Sequence, residues 1–286
     1  MNKKLLLSGC GFLLIITICI LVIRNTDEKP ALSQQQGIIS TLESYSGTSQ
    51  VIEEKEYDFY FEIVRKEFEN QNDKDKIQAA ANSFIQDTYA QFLIGNKLNI
   101  CKPYSFQTLE RDMKIENQQR KIKKNKNEIF YGPLEFKLES YFKYILNNLK
   151  SDIIEVLYEK EDPDLIENAK NYYQKNPDTF TRLESVEYEI TVDSITEKKV
   201  LKREDMSILE KTNSNLFQSL YTRQEGDEFL YLENGQEVTG KILSKKKSVI
   251  KYQEAKEEII KVYISEVVYP ELVRIVGDHN PLEFGK

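Results

Sequence analysis

The chain contains no tryptophan, one histidine and three cysteines in 286 residues, and each scarcity excludes something. Zinc sites built on imidazole, Ser-His-Asp triads and Cys-His pairs all need a well-placed histidine. The one present, His279, stands in the polar segment Gly277-Asp278-His279-Asn280-Pro281 near the C-terminus, where a solvated ring is expected. No metal site and no cofactor is therefore expected. Cys10 and Cys19 fall in an apolar run near the N-terminus, which leaves Cys101 alone in the rest of the chain. No intramolecular disulfide can brace that part, so a hydrophobic core must hold it. With 40% hydrophobic residues, 17 Tyr and 14 Phe, the material for an aromatic core is there.

A basic excess is missing as well. The chain has 40 Lys and Arg against 47 Asp and Glu, a net charge of −7. Setting aside Lys3, Lys4 and Arg24, which flank the apolar run, the remainder stands at −10. Such a body is a poor partner for phosphate backbones, so no nucleic acid is expected. Long hydrophobic runs are also missing, with one exception. Leu5 to Ile23 is 19 residues without a charge, just long enough to cross a bilayer as a helix that satisfies its own backbone. Lys3 and Lys4 precede it, whereas Arg24 is soon followed by Asp27 and Glu28. The positive-inside rule then puts the N-terminus in the cytoplasm and the bulk outside, as a single-pass cell-membrane protein. A secretory signal has a shorter core and a small-residue cleavage site, and this run passes directly into Arg24-Asn25-Thr26. Leu7-Ser8-Gly9-Cys10 matches the lipoprotein signal as a string, so a lipidated Cys10 is the alternative. Only Leu5 to Leu7 precede it as apolar core, however, and the apolar stretch continues to Ile23.

Residues 25–50 are polar, with Pro30, Gly37, Gly47, three glutamines in a row and several serines, and read as a flexible tether. A helical pattern begins at Val51 and extends to Asn70, with Ile52, Phe59, Ile63 and Phe68 on one stripe. Ile77, Ala81, Phe84, Ile85, Thr88 and Phe92 follow helical spacing, with Gly95 and Asn96 suited to a C-terminal cap. Ser105 can cap a mostly polar helix over Phe106–Lys126 that ends in the basic run from Arg120 to Lys126. That run is either an anion-binding patch or a solvated turn whose lysines suit the helix dipole. Pro133 suits a first helical position before the apolar face of Leu134, Leu138, Tyr141, Phe142, Ile145, Leu146 and Leu149. Another helix is predicted over Pro163–Lys175, and no strand is evident before it.

The apolar period then switches from 3.6 to 2. Val186 to Val192 alternates strictly, as a half-buried strand does. Phe229–Leu232, Val238–Leu243 and Val249–Tyr252 are candidate strands, and Asp205–Phe217 reads as a helix. Gln253–Tyr269 is helical again, carrying Ala255, Ile259, Val262, Tyr263 and Val267 in phase. Pro270 kinks or restarts it. The fold class is therefore α+β. Its expected parts are an anchor (1–24), a tether (25–50), a helical domain (51–179), a small α/β insert (180–251), and a C-terminal helix with a polar tail (252–286).

This order resembles the extracytoplasmic foldases of the PrsA and SurA type. In those proteins a helical chaperone domain is completed by a helix from beyond a parvulin-type peptidyl-prolyl isomerase domain. Ala169-Lys170-Asn171-Tyr172-Tyr173-Gln174-Lys175-Asn176-Pro177-Asp178-Thr179-Phe180, followed by Val186 to Val192, looks like the family's tyrosine-rich helix, its Phe and the first parvulin strand. Tyr252 to Ile259 looks like its exit segment. Glu116-Asn117-Gln118-Gln119-Arg120 and Ile129-Phe130-Tyr131-Gly132 are similar to a subgroup. The resemblance implies an anchored chaperone or foldase that binds unfolded or exported polypeptides, with residues 180–251 as a parvulin-like domain.

The resemblance also implies two active-site histidines, and neither is present. Glu189 occupies the first position, and Lys241-Ile242-Leu243 stands where a glycine-flanked His-Ile-Ile is expected. Rotation about a peptide bond meets a barrier of ~18–20 kcal/mol, so a catalyst must hold the proline ring in an apolar cleft and favour the twisted amide. A carboxylate is a poor floor for such a cleft unless it points to solvent. No catalytic residue is therefore assigned, and the domain is expected to be a degenerate isomerase. Tyr141, Phe142, Tyr144, Tyr172 and Tyr173 are candidates to line a client cradle, or else they pack the helical core. Two other functions stay open: an active parvulin with an atypical site, and an accessory protein serving one exported client or a transport complex.

Overall fold

The computed structural model describes residues 50–68, 73–233 and 235–284, which belong to one compact unit spanning Tyr45–Lys286. The expected anchor, Cys10 and the tether up to residue 49 lie outside the described residues. Among the described residues, no helix is long and apolar enough to cross a membrane.

A short strand β1 (Gln50–Ile52) leads into five helices: α1 (Glu54–Glu67), α2 (Lys74–Lys97), α3 (Phe106–Asn125), α4 (Leu138–Glu159) and α5 (Pro163–Lys175). A 3-10 turn, Pro177–Phe180, passes to the hairpin of β2 (Thr181–Val192) and β3 (Ile195–Lys202). Then come α6 (Arg203–Thr212), α7 (Ser214–Thr222), β4 (Glu228–Glu233) and β5 (Gln236–Val249). Finally α8 (Lys256–Tyr263), a π-helical stretch (Ile264–Val268), α9 (Tyr269–His279) and a last strand β6 (Leu282–Phe284) close the chain. The molecule is α+β.

α2 is the centre of the helical part. Ile77, Ala81, Ile85, Thr88 and Phe92 are buried on the expected stripe, and Tyr89, Ala90 and Ile94 are buried beside it. The stripe widens because α1, α4 and α9 all pack on this one helix. At its N-terminus the Asp73 carboxylate accepts the Lys76 N–H at 3.2 Å. Its C-terminus differs from expectation. The left-handed residue is Asn99 (φ 58°), and the Ile100 N–H reaches back to the Gly95 carbonyl at 2.8 Å in a Schellman closure. Gly95 lies inside the helix, where a Cβ would come within 2.4 Å of Leu149 Cδ1, so its smallness serves the α2–α4 contact.

The first helix starts at Glu54 instead of Val51, because Ile52 belongs to β1, which pairs in parallel with β6 in the register Gln50↔Leu282 to Ile52↔Phe284. Pro133 is in irregular chain and opens no helix; α4 begins at Leu138. The C-terminal helix passes Pro270 without a break. Proline removes a backbone donor and crowds the carbonyl four residues earlier, and the π stretch immediately before it loosens that turn. Ile259, Ile264, Val268, Leu272 and Val276 keep one buried face through the irregularity.

The antiparallel sheet runs in the order β3-β2-β5-β4. One face carries Val186, Tyr188, Ile190, Leu201, Phe229, Tyr231, Val238 and Ile242, covered by Leu216 and Leu220 of α7 with Met206 and Leu209 of α6 packed alongside. β3 was not apparent from the sequence because Leu201 is its only buried residue. Its turn is made by Asp193 and Ser194, both at positive φ (47° and 66°) as a primed hairpin turn needs. β5 extends the strand expected over Val238–Leu243 to Gln236–Val249, whereas the strand expected over Val249–Tyr252 does not form: Val249 is the end of β5 and Tyr252 opens a 3-10 turn. A bulge at Leu243, opposite Glu187/Tyr188, interrupts the alternation that would have revealed its full length, and a second irregularity, at Glu184, lies in β2. The helix expected over Asp205–Phe217 is two, divided at Asn213, whose side chain caps α7 by accepting the Leu216 N–H at 3.0 Å.

Gly240 sits at the tightest point of this core. A Cβ there would lie 2.3 Å from the Phe229 ring and 2.7 Å from the Glu189 carbonyl oxygen. Gly240→Ala should therefore lower stability by about 1–3 kcal/mol, the usual cost of overpacking. Phe229→Leu in the same chain should relieve part of that loss. Urea denaturation of the single and double variants measures both.

Candidate functional site

The five aromatic candidates occupy three places. Phe142 is fully buried, with rings of Phe59, Tyr60 and Phe84 at 5.7, 5.3 and 6.2 Å. Tyr141 is also buried, against Phe136. Both are core residues, which corrects the expectation that they line a cradle; the apolar face of α4 was read correctly, but its partner is the protein itself. Tyr172 and Tyr173 are half-buried at the seam between helices and sheet. The Tyr172 hydroxyl donates to Glu266 at 2.5 Å, and the Tyr173 hydroxyl donates to the Ile250 carbonyl at 2.7 Å. Phe180 lies against both rings, and Tyr263 and Tyr252 complete the cluster. The tyrosine-rich segment therefore fastens the sheet to the helices.

Tyr144, also half-buried, belongs to a site that sequence reasoning missed. Arg120 of α3 is 4% exposed although it opens the run read as basic surface. Its guanidinium donates to the Tyr131 and Pro133 carbonyls at 2.6 and 3.0 Å and to Glu116 at 2.8 Å. The ring centroids of Phe136 and Tyr144 lie 4.4 and 5.2 Å from its Cζ. One turn earlier, Asn117 both donates to the Phe136 carbonyl (3.0 Å) and accepts its N–H (2.8 Å). At the helix end Asn127 takes a left-handed conformation (φ 54°) and the Glu128 N–H returns to Lys123. These contacts fold residues 126–137 back along α3 in antiparallel fashion. The sequence segments around Arg120 and Tyr131 are thus structural partners.

The clamp holds apolar side chains in solvent. Ile129 is 83% exposed and Tyr131 75%, with Ile122 at 52% and Ile115 at 46% on α3 itself. Ile115 and Ile122, seven residues apart, share one helix face, and the return segment brings Ile129 and Tyr131 to the level of residues 120–123. Lys121, Lys123, Lys124 and Lys126 are exposed among them. Lys121 pairs with Glu135. The side chains of Lys123, Lys124 and Lys126 have no ion-pair partner among the described residues.

The sheet offers a different surface. Glu189 is directly opposite Lys198 on one side and Lys241 on the other, and Lys241 is opposite Glu228. This row of alternating charge crosses all four strands on the face opposite the core. Cys101 is half-buried, burial pushes its thiol pKa up, and its Sγ contacts the Phe92 carbonyl at 3.7 Å, so it is a poor nucleophile. His279 is exposed at the end of α9, with Nδ1 2.8 Å from the Ile275 carbonyl. Among the described residues no group of His, Cys, Asp or Glu is arranged to hold a metal ion. A surface depression along α5, between Glu161 and Gln174, has no thiol, hydroxyl or imidazole in its lining.

One buried titratable cluster lies at the centre of the helices. Glu56 accepts from the Tyr89 hydroxyl at 2.6 Å, and Tyr60 and Tyr104 share a hydrogen bond of 2.5 Å beside them. Burial raises the Glu56 pKa from its ordinary 4.5, against the pull of hydrogen bonds from Tyr89 and Tyr60.

No family model matches the chain, and no curated protein does. Among solved structures it is similar to two chains from the description of PEB4 and the periplasmic protein Cj1289, structurally related SurA-like chaperones of Campylobacter jejuni. The first shares 15% identity over 78% of this chain and 89% of its own, with a TM-score of 0.28. The second shares 12% over 79% and 92%, with a TM-score of 0.17.

Two expectations follow from the geometry. Arg120→Gln should destabilise the return segment by on the order of 1–3 kcal/mol, because it removes the buried charged donor that holds the Tyr131 and Pro133 carbonyls. Limited proteolysis should then cut within residues 121–135 while the sheet stays intact. For Glu56 the folded-state pKa lies above the unfolded one, so the native state holds the extra proton. Its contribution is therefore present below pH 4.5 and is lost as pH rises through the folded value. Glu56→Gln keeps an acceptor for Tyr89 and should flatten that decline, as urea midpoints across this pH range would show.

Proposed function

We propose that this is a membrane-anchored extracytoplasmic chaperone that binds unfolded or exported polypeptides and carries a parvulin-like domain without isomerase activity. The observation behind this reading is the set of exposed apolar side chains, Ile115, Ile122, Ile129 and Tyr131, held open by a buried clamp. A protein gains nothing in stability from fixing Ile129 and Tyr131 in water, whereas a chain that receives apolar segments needs such a surface. Orientation follows from Leu5–Ile23: the anchor lies in the membrane and the remainder outside.

In this reading residues 51–179 and 252–286 form the chaperone domain and residues 180–251 the parvulin-like one. Support for inactivity comes from the positions where the family's histidines would stand. Glu189 and Lys241 are cross-strand neighbours in a row of alternating charge. An ion-rich, solvent-facing row cannot form the apolar floor that holds a proline ring, and a carboxylate would repel the negative charge developing on the carbonyl oxygen.

The test is a pair of assays on the full chain in neutral-lipid nanodiscs. Aggregation of an unfolded substrate should be suppressed, and Ile129→Ser with Tyr131→Ser should weaken suppression about tenfold without shifting thermal denaturation. X-Pro isomerisation should proceed at its unaided rate of tens of seconds. Suppression that survives the double substitution would remove the arm from the function. Isomerisation that is fast and lost in Glu189→Ala would install an enzyme in place of this reading. Phe142→Ala serves as the contrast: it should unfold the helices, costing about 3–5 kcal/mol, and so report packing instead of binding.

A further inference from the structure

We infer that the tip of α3 and its return segment select apolar segments carrying acidic residues, a substrate class that rests on the polypeptide-binding reading above. From Lys121 to Tyr131 the chain carries four lysines against one glutamate, a net of +3 on a protein whose net charge is −7. The positive tip coincides with the exposed apolar side chains Ile122, Ile129 and Tyr131. Helix-dipole complementation accounts for a lysine or two in the last turn of α3. It extends to Lys126 at the C-cap, but it does not account for the exposed isoleucines and tyrosine beside the lysines. The α3 terminus is already closed by the Asn127 turn, through the Asn127 and Glu128 N–H groups donating to Lys124 and Lys123 at 3.0 and 2.9 Å. The buried cation, Arg120, is fully engaged inside the clamp. Lys121 is held by Glu135, which leaves Lys123, Lys124 and Lys126 free of structural duty.

The chemistry of the partner follows from the charge pattern. Apolar contacts alone attract any hydrophobic segment, without regard to its charge. Amines interleaved with them add attraction for carboxylates on the same segment, while the acidic remainder of the protein repels that segment elsewhere. Charge thus concentrates acidic, apolar chains at the tip and turns away basic ones. Each exposed pair is weak and screened over about 8 Å at physiological salt, so the preference for an acidic over a neutral segment is about tenfold and not absolute. It is also readily reversed, as release of a client requires.

The experiment compares three labelled peptides of one apolar sequence whose polar positions are all Asp, all Ser or all Lys. Each is titrated by fluorescence anisotropy against the full chain in neutral-lipid nanodiscs. The Asp peptide should bind about tenfold tighter than the Ser peptide and about a hundredfold tighter than the Lys peptide. Raising salt to about 0.5 M should compress the three towards one value. Lys123→Glu with Lys124→Glu and Lys126→Glu should invert the order, while Ile129→Ser with Tyr131→Ser should weaken all three together. Equal binding of the three peptides, lost in the Ile129/Tyr131 variant, would overturn the charge selection and leave the polypeptide-binding reading standing. Binding of none would overturn both. Capture of anionic vesicles through the same lysines, without peptide binding, would overturn the inference by assigning the tip to a lipid surface. Substituted residues are exposed, and unchanged thermal denaturation of each variant shows that a loss is not unfolding.

Discussion

The helical part depends on one buried element meeting sequence from both ends of the chain. α2 packs on α1 and α4, which precede the sheet, and on α9, which follows it. Gln86 makes the junction specific. Its side-chain amide donates to the carbonyls of Gly277 (2.9 Å) and Asn280 (2.7 Å), and its oxygen accepts the Leu282 N–H at 3.2 Å. A residue nearly two hundred positions away thus satisfies the end of α9 and sets β6 beside β1. Everything between must leave and return. The sheet meets that requirement by starting and ending at one place: Thr181 is the register partner of Val249, and the Ile250 N–H donates to the Phe180 carbonyl at 2.8 Å.

This closure explains why the aromatic-rich seam carries so much packing and so little exposed chemistry. Where a chain exits and re-enters a body, several backbone groups converge and must be shielded or paired. Tyr172, Tyr173 and Phe180 on the way out, with Tyr252 and Tyr263 on the way back, supply rings for the shielding, and the Tyr173 hydroxyl pairs the Ile250 carbonyl. Abundance of tyrosine in this region is explained by the topology without any client.

Much of the architecture could be read in the amino-acid sequence, for reasons that also mark where reading stops. α5 was bounded at Pro163 and Lys175 because Asp162 caps it and its apolar positions recur at helical spacing. β2 was visible from Val186 because one face is buried and the other wet. β3 left no such trace, being an edge strand with one buried residue, and β5 was legible only over Val238–Leu243, because the bulge at Leu243 breaks the period on which recognition depends. At the candidate site the limit was different. Arg120 looked like the first residue of a basic run, since burial of a guanidinium depends on carbonyls from residues 131 and 133, which no local pattern announces. The one available signal was aromatic density near it, Phe130 and Phe136 following an otherwise polar helix. The cradle residues failed for the opposite reason: Tyr141 and Phe142 satisfy helical periodicity, and periodicity reports an inward face.

The arrangement around α2 also sets an order of assembly during synthesis. A ribosome delivers α2 long before α9 exists, so part of the apolar face of α2 stays uncovered while the next hundred and more residues are made. The sheet is under no such constraint, because its core is drawn entirely from residues 183–242 and needs nothing made later. It can close as a finished island while the helices on its N-terminal side still wait for their last member. The native helical core is thus completed only when residues near the C-terminus arrive, which makes the final helix the step that commits the nascent chain to its fold.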